Sequence, residues 1–342
     1  MEKKQTNPLK SIITIVISLA FAGFFLWLAL RGLDFKVIQK SLAKANYLWV
    51  LFASVFGMLA YWFRAIRWNL LLEPMGHQIS NSNSLWSISF GYLMNLTIPR
   101  SGEVARATAL YGVEGVPVDK SFGTIILERV VDLICMLGFL GLTLIFKYKA
   151  ILSFYENSGV NINPNKILIG FLILAIGTIL FFALKKKLIA VPFLGKVIGF
   201  IDGIFLGITS IFKLKQKGKF IIYTIGIWIS YYFAAYLVCF ALPETSDFTI
   251  ADGFFIIVVG TLGMIIPASG GIGAFNLAMK FGFMALFISM GKSAELGGEM
   301  GLTYSFISLP LQIVIMLVMG LISIPMLAKA RNNRMSHGEI KS

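Results

Sequence analysis

Charge, histidine and cysteine are what this sequence lacks. Only 13% of its 342 residues are charged, about half the share of a soluble domain. With 57% hydrophobic residues and a mean hydropathy of +0.83, a fold in water would expose large apolar patches. The chain therefore belongs in a lipid bilayer. Two histidines are present, His77 in a loop and His337 in the tail. That excludes histidine-ligated haem or zinc at membrane depth, and a Ser–His hydrolase built on Ser269. Cys135 and Cys239 both fall in apolar runs, so they read as packing residues and not as a disulfide framework. The phosphate-loop pattern GxxxxGK[ST] is absent, so ATP hydrolysis is not expected. No metal, cofactor or catalytic residue is assigned.

Acid is scarce as well: 16 Asp and Glu against 30 Lys and Arg give a net charge of +14. The basic residues sit in loops between apolar runs. That pattern fits the positive-inside rule and anionic lipid headgroups, and it argues against nucleic acid.

A helix needs about 20 apolar residues to cross a bilayer. Six runs qualify, near 11–30, 47–63, 121–146, 166–184, 220–242 and 301–328. The first has no convincing cleavage site and reads as a retained helix. Two more stretches, 84–112 and 252–290, are interrupted by IPRSGEVA (98–105) and IPASGGIG (266–273). Proline breaks a helix and glycine lets the chain reverse. Such breaks at membrane depth are tolerated where they line protein or a water cavity. Both stretches are therefore predicted to be re-entrant helical hairpins. With both hairpins non-crossing, 20 of the 30 basic residues share a side with the termini and nine lie opposite. This puts both termini in the cytoplasm and makes the hairpins enter from opposite faces, the mark of an inverted repeat. Chance recurrence, in a chain with 33 Gly and 10 Pro, is the alternative. The expected architecture is all-α and polytopic, with about six full transmembrane helices and two re-entrant hairpins in one domain, 1–330. A basic cytoplasmic tail, 331–342, follows. Residues 191–212 either lie along the interface or span.

The run TIILERVVDLICML (124–137) places Glu128, Arg129 and Asp132 inside an apolar segment. Charges there cost roughly 2.5–3.5 kcal/mol each on insertion scales and mark a functional site by default. Glu128 and Asp132 share a helix face, four residues apart. Arg129 is placed to pair with Asp132, and an outside cation is still required; Arg100 and Arg106 are the candidates. The alternatives are a structural ion-pair network, arginines held for a ligand phosphate, or an acid–base pair. Ser101 is a candidate N-cap for the helix after Pro99, whose N-terminus with Gly102 would suit an anion. The bare copy offers Pro267, Ser269, Gly270, Gly271 and Gly273, for close backbone or lipid approach or for helix packing. Arg64 and Arg67, flanked by Trp62 and Trp68, read as an interface anchor or as contacts to a lipid phosphate.

These residues carry a resemblance. RAIRWNLLL (64–72), the P-x-R-x-G-E-x-x-R of Pro99, Arg100, Gly102, Glu103 and Arg106, the ERVVD of 128–132 and the P-x-S-G-G-I-G of 267–273 stand in this order. Together they resemble the flippase-like transmembrane region of lysylphosphatidylglycerol synthases and its stand-alone relatives. The resemblance implies a bacterial inner-membrane protein that translocates lipid. It also implies no lipid aminoacylation, because no synthase half is present in 342 residues. Asn276 stands where many relatives carry Glu, which puts a carboxylate role there in doubt.

The expected function is flipping of an anionic or aminoacylated phospholipid, or of a lipid-linked headgroup, without chemical change. Arg100, Arg106, Ser101, Gly102, Arg64 and Arg67 would bind the phosphate, and Glu103, Glu128, Arg129 and Asp132 would form the charge network. The partner is membrane phospholipid, with a separate lipid-modifying enzyme or a second copy as further partners. A non-transporting lipid-binding scaffold and an intramembrane lipid-modifying enzyme are the alternatives.

Overall fold

A computed structural model describes residues 35–98, 100–157, 210–265 and 271–336. They form nine α-helices and no strand: α1 (Phe35–Lys44), α2 (Tyr47–Leu72), α3 (Asn81–Thr97), α4 (Gly102–Glu114), α5 (Val118–Asn157), α6 (Lys217–Cys239), α7 (Ile250–Ile265), α8 (Ala274–Ser289) and α9 (Ala294–Ser336). The chain is an all-α polytopic membrane protein. Among the described residues, α2, α5, α6 and α9 are long and apolar enough to cross a bilayer. They match four of the six expected spans; α2, α5 and α9 run past the ends of their apolar runs, and α6 stops at Cys239, three residues short of its run. The expected spans 11–30 and 166–184 and most of 191–212 lie outside the described residues. The tail expected from 331 begins as helix, since α9 continues through Ser336.

Local chemistry sets several of these ends. Asn46 precedes α2, and its Oδ1 accepts the Leu48 amide at 3.1 Å, supplying one bond the first turn lacks. Glycines with positive φ, Gly115 and Gly76, close α4 and the short turn after α2. Pro310 and Pro325 sit inside α9, where each removes one backbone donor. Leu51, Phe52 and Val55 on α2, Ile145 on α5 and Leu321 on α9 are exposed. Apolar residues on outer faces meet lipid, not water.

Polar bonds define two opposite ends of the bundle. At one, the Asn46 amide donates to the Ala241 carbonyl at 2.8 Å, and Lys292 pairs with Asp247 at 2.6 Å. At the other, Gln216 reaches Glu73 at 3.2 Å, and Arg334 reaches the Tyr111 carbonyl at 3.4 Å. α3 and α4 form a helical hairpin whose base lies at this second end. There Glu114 accepts from Asn83 Nδ2 at 2.7 Å and from the Ser80 amide at 3.3 Å. α7 and α8 form a second hairpin, based at the first end through Asp247 and Lys292. With 17 and 13 residues, α3 and α4 are about 26 and 20 Å long, below the roughly 30 Å of a hydrocarbon core. The two hairpin tips meet: Arg100 Nη2 donates to the carbonyl of Ile265, the last residue of α7, at 2.8 Å.

The α7–α8 hairpin carries its own buried charge pair. The backbone of α5 leaves helical geometry at Lys147 (φ −136°, ψ 36°). The kink brings its ammonium 2.7 Å from Asp252, which is fully buried. The other Asp252 oxygen accepts from the Thr249 amide and hydroxyl at 2.8 and 2.6 Å, fixing the start of α7.

Candidate functional site

The site grows from the spacing of Glu128 and Asp132 on α5. Four residues apart, both carboxylates face α2, where Arg64 and Arg67 are three apart on one face. Arg64 pairs with Asp132 at 2.8 Å. Arg67 lies between the two acids, 2.9 Å from Asp132 and 3.6 Å from Glu128. Arg106 of α4 bonds the other Glu128 oxygen. The Arg106 guanidinium also stacks over Trp68, 4.5 Å from the ring centre. The Trp68 indole N–H in turn donates to Thr124 Oγ1 at 2.9 Å. Three helices thus converge on one cluster.

The cluster is almost dry. Arg64, Arg67, Arg106 and Glu128 are 4%, 0%, 5% and 1% exposed. Three guanidinium groups against two carboxylates leave one positive charge without compensation. The outer pair Arg129–Glu103, at 2.7 Å, is neutral in sum and half-exposed. A buried charge without a partner costs far more than one in water. Several buried donors also lack an acceptor among the described residues: Nε of Arg64, Nε of Arg106, and all three nitrogens of Arg67. Arg67 is close enough to both acids for Coulomb attraction, and its Glu128 contact at 3.6 Å is too long for a hydrogen bond.

A narrow cleft, with room for about one water molecule, opens onto this cluster, lined by Arg64, Arg106 and Arg129 together with Gly91, Tyr92, Asn95, Gly102 and Glu103. The α3–α4 hairpin forms one wall. Its helices approach backbone to backbone where Gly91 faces Gly102. A Cβ on Gly91 would lie 2.6 Å from the Gly102 carbonyl oxygen. Gly91→Ala is therefore expected to splay the hairpin and cost about 1–3 kcal/mol, read as a lower midpoint in thermal unfolding of the purified protein.

The structure rearranges several expected roles. Arg129 does not pair with Asp132; it lies about 100° around the helix from Glu128 and reaches Glu103 instead. Arg100 binds neither carboxylate and stays outside the cluster, on the Ile265 carbonyl. It holds φ at +62°, a left-handed conformation that is uncommon for a residue with a side chain. Ser101 does not cap α4. Its hydroxyl donates to the Met94 and Ile98 carbonyls. The Gly102 amide is capped from α3, by Asn95 Oδ1 at 2.7 Å. Asn95 carried no signal in the sequence, because only the hairpin brings it there. Trp68, read as an interface anchor, is buried, and so are Arg64 and Arg67. Two arginines on one face of an apolar helix, opposite two acids on another, were the available sign of their pairing.

The second phrase is only partly described: Pro267, Ser269 and Gly270 lie outside the described residues, as does Pro99 in the first. Gly271 and Gly273 take φ of +76° and +84° at the entry to α8, a region open to glycine. Asn276 is a buried structural link. Its Oδ1 accepts the Gly273 amide at 3.0 Å, and its Nδ2 donates to Ser305 of α9 at 2.7 Å. An amide serves both bonds, one as acceptor and one as donor; an ionised carboxylate could not make the second.

Comparison with known proteins follows the same residues. A profile of the lysylphosphatidylglycerol synthase transmembrane region matches residues 15–318. Over 129 residues the chain is 29% identical to a UPF0104 membrane protein of Methanocaldococcus jannaschii, covering 37% of this chain and 38% of that protein. Over 316 residues it is 23% identical to glycosyltransferase AglD of Haloferax volcanii, covering 83% of this chain and 50% of that protein. The chain spans about half the length, or less, of these curated relatives. No solved structure matches it. Spanning nearly the whole chain, from the first apolar run into α9, the profile match shows that this polytopic membrane protein belongs to the family of the lysylphosphatidylglycerol synthase transmembrane region.

Proposed function

We propose that this protein moves an anionic phospholipid, or a lipid-linked headgroup bearing phosphate, between the two leaflets of the cytoplasmic membrane without changing its chemistry. The observation that carries the reading is the uncompensated positive charge of the Arg64, Arg67, Arg106, Glu128 and Asp132 cluster beside a narrow cleft. A phosphate supplies the missing negative charge. Its oxygens accept two parallel hydrogen bonds from a guanidinium fork. Arg64 and Arg106 line the cleft and meet the ligand; Arg67 lies behind them and ties both acids together. Glu128 and Asp132 hold the arginines in place, and Arg129 with Glu103 forms the rim.

Opposed hairpins support alternating access. Their bases lie at opposite ends of the bundle and their tips meet at Arg100 and Ile265. In this reading both are re-entrant, each guards the cluster from one leaflet, and the end bearing the α9 C-terminus is cytoplasmic. Leaving out Arg64, Arg67 and Arg106 in the cluster and Arg100 at the hairpin tips, the basic residues, sixteen on that side against nine, support that orientation. The glycosyltransferase relative favours a lipid-linked sugar as one cargo class, since that relative is named for sugar transfer. A phosphate grip serves that lipid and a phospholipid alike.

The test is lipid exchange in liposomes containing the purified protein, followed by reduction of a fluorescent phosphatidylglycerol in the outer leaflet. The labelled anionic lipid is expected to cross at least tenfold faster than in protein-free vesicles. A rate equal to empty vesicles for phosphatidylglycerol and for a polyprenyl-phosphate sugar, with folded protein present, would overturn the reading.

A further inference from the structure

We infer that the outer face of α4 holds a second lipid site, in which one acyl chain of a phospholipid fills a groove against α9 and its phosphate rests on Arg331. This site is separate from the arginine cluster, and binding there does not depend on transport. α4 divides the two. Its Gly102, Arg106 and Leu110 face turns to the cluster and core, while Ala105, Ala109 and Gly112 face the groove.

The groove holds about 410 Å³ and is open along one side, within the roughly 300–1,000 Å³ of small-molecule sites. Phe90 of α3 and Ile324 and Leu327 of α9 complete its apolar walls. A Cβ built on Gly112 meets nothing within 4 Å, so none of the described residues fills this face. In membranes, small residues usually bring helices into contact; here α9 stands off and leaves a slot. Along α9 the slot runs from Ile324 to Arg331, about 10 Å.

Charge selects the occupant. Arg331 is exposed at the end of the groove, and among the described residues no carboxylate pairs with it. It stands at the α9 C-terminus, where Lys329 and Arg334 add further positive charge. An apolar slot leading to an exposed guanidinium in a bilayer-spanning bundle matches an acyl chain leading to a phosphate. A second copy of the chain would bring apolar helix to the slot, but would bring Arg331 against the same basic end.

The test is native mass spectrometry of the purified protein titrated with phosphatidylglycerol, and separately with diacylglycerol, which lacks the phosphate. Gly112→Leu puts a side chain into open space and fills the slot; Arg331→Gln removes the grip at an exposed position. For Gly112→Leu, one bound phosphatidylglycerol is expected to weaken about tenfold. For Arg331→Gln, phosphatidylglycerol is expected to weaken about fivefold, as for one charge-assisted bond near water, with diacylglycerol unchanged. Unchanged phosphatidylglycerol binding in Arg331→Gln would overturn the proposal, and so would a wild-type dimer that Gly112→Leu converts to monomer. If Gly112→Leu does not fold, Arg331→Gln decides alone.

Discussion

Glu128→Gln is expected to destabilise the protein by about 3–5 kcal/mol while strengthening its hold on anions. The first effect follows from burial. Glu128 is 1% exposed and sits against Arg106 and Arg67. Removing its charge leaves three buried guanidinium groups facing the single carboxylate of Asp132. Breaking a buried pair on one side costs that much, because the remaining charge has no solvent to turn to. The second effect follows from the same count. The uncompensated charge rises from one to two, so a phosphate entering the cleft meets a stronger field. Denaturant unfolding in detergent measures the first effect, and phosphatidylglycerol titration the second. Removing Arg106 as well, in Glu128→Gln/Arg106→Gln, restores the surplus to one and is expected to recover a large part of the lost stability. A single mutant within about 0.5 kcal/mol of wild type, the range of ordinary surface changes, would show that Glu128 is not the buried partner described above.

Arg64→Gln is expected to do the reverse, with at least a tenfold loss of anionic-lipid exchange and a smaller loss of stability. Asp132 keeps Arg67 at 2.9 Å when Arg64 is removed, so no buried carboxylate is orphaned. The cost to the fold is then about 1.5–3 kcal/mol, that of one hydrogen bond to a charged group. The site, however, becomes neutral. Two guanidinium groups now balance two carboxylates, and the cleft loses one of the arginines that line it. A tenfold change corresponds to about 1.4 kcal/mol, well within what a buried charged contact contributes. Arg64→Lys keeps the charge but not the planar fork, and is expected to fall between the two. Exchange at the wild-type rate in Arg64→Gln would mean that the surplus charge does not meet the lipid. The two variants separate the roles: an acid that supports the fold and restrains binding, and an arginine that drives binding more than it supports the fold.

Much of the fold was legible because apolar run length is a direct consequence of bilayer thickness. The runs at 47–63, 121–146 and 301–328 each lie within a long helix, and the run at 220–242 overruns its helix by three residues past Cys239. Their ends were less legible. α2 runs on to Leu72 because Arg64, Arg67 and Trp68, polar in the sequence, are buried in the bundle. The break at 98–101 was legible from Pro99 and Gly102, but its cap was not, since Asn95 reaches the Gly102 amide only after α3 and α4 fold together. Glu128, Arg129 and Asp132 were visible as charges at membrane depth, while Arg64 and Arg67 read as interface residues just past an apolar run. Their pairing was not visible, because helix spacing says which residues share a face and not which helix that face meets.

By itself, the sequence determined that this chain lives in a membrane, that it is built of helices, and that its charges are too few and too deep to be incidental. Each of those rests on free energies of transfer, which act on a segment whatever its neighbours. Only the tertiary structure decided who pairs with whom. It set Arg64 and Arg67 of α2 and Arg106 of α4 on the two acids of α5, sent Arg129 to Glu103, and turned Arg100 away to the Ile265 carbonyl. Coulomb attraction and hydrogen bonding act over a few ångströms, so they are settled by which surfaces the packed helices bring that close.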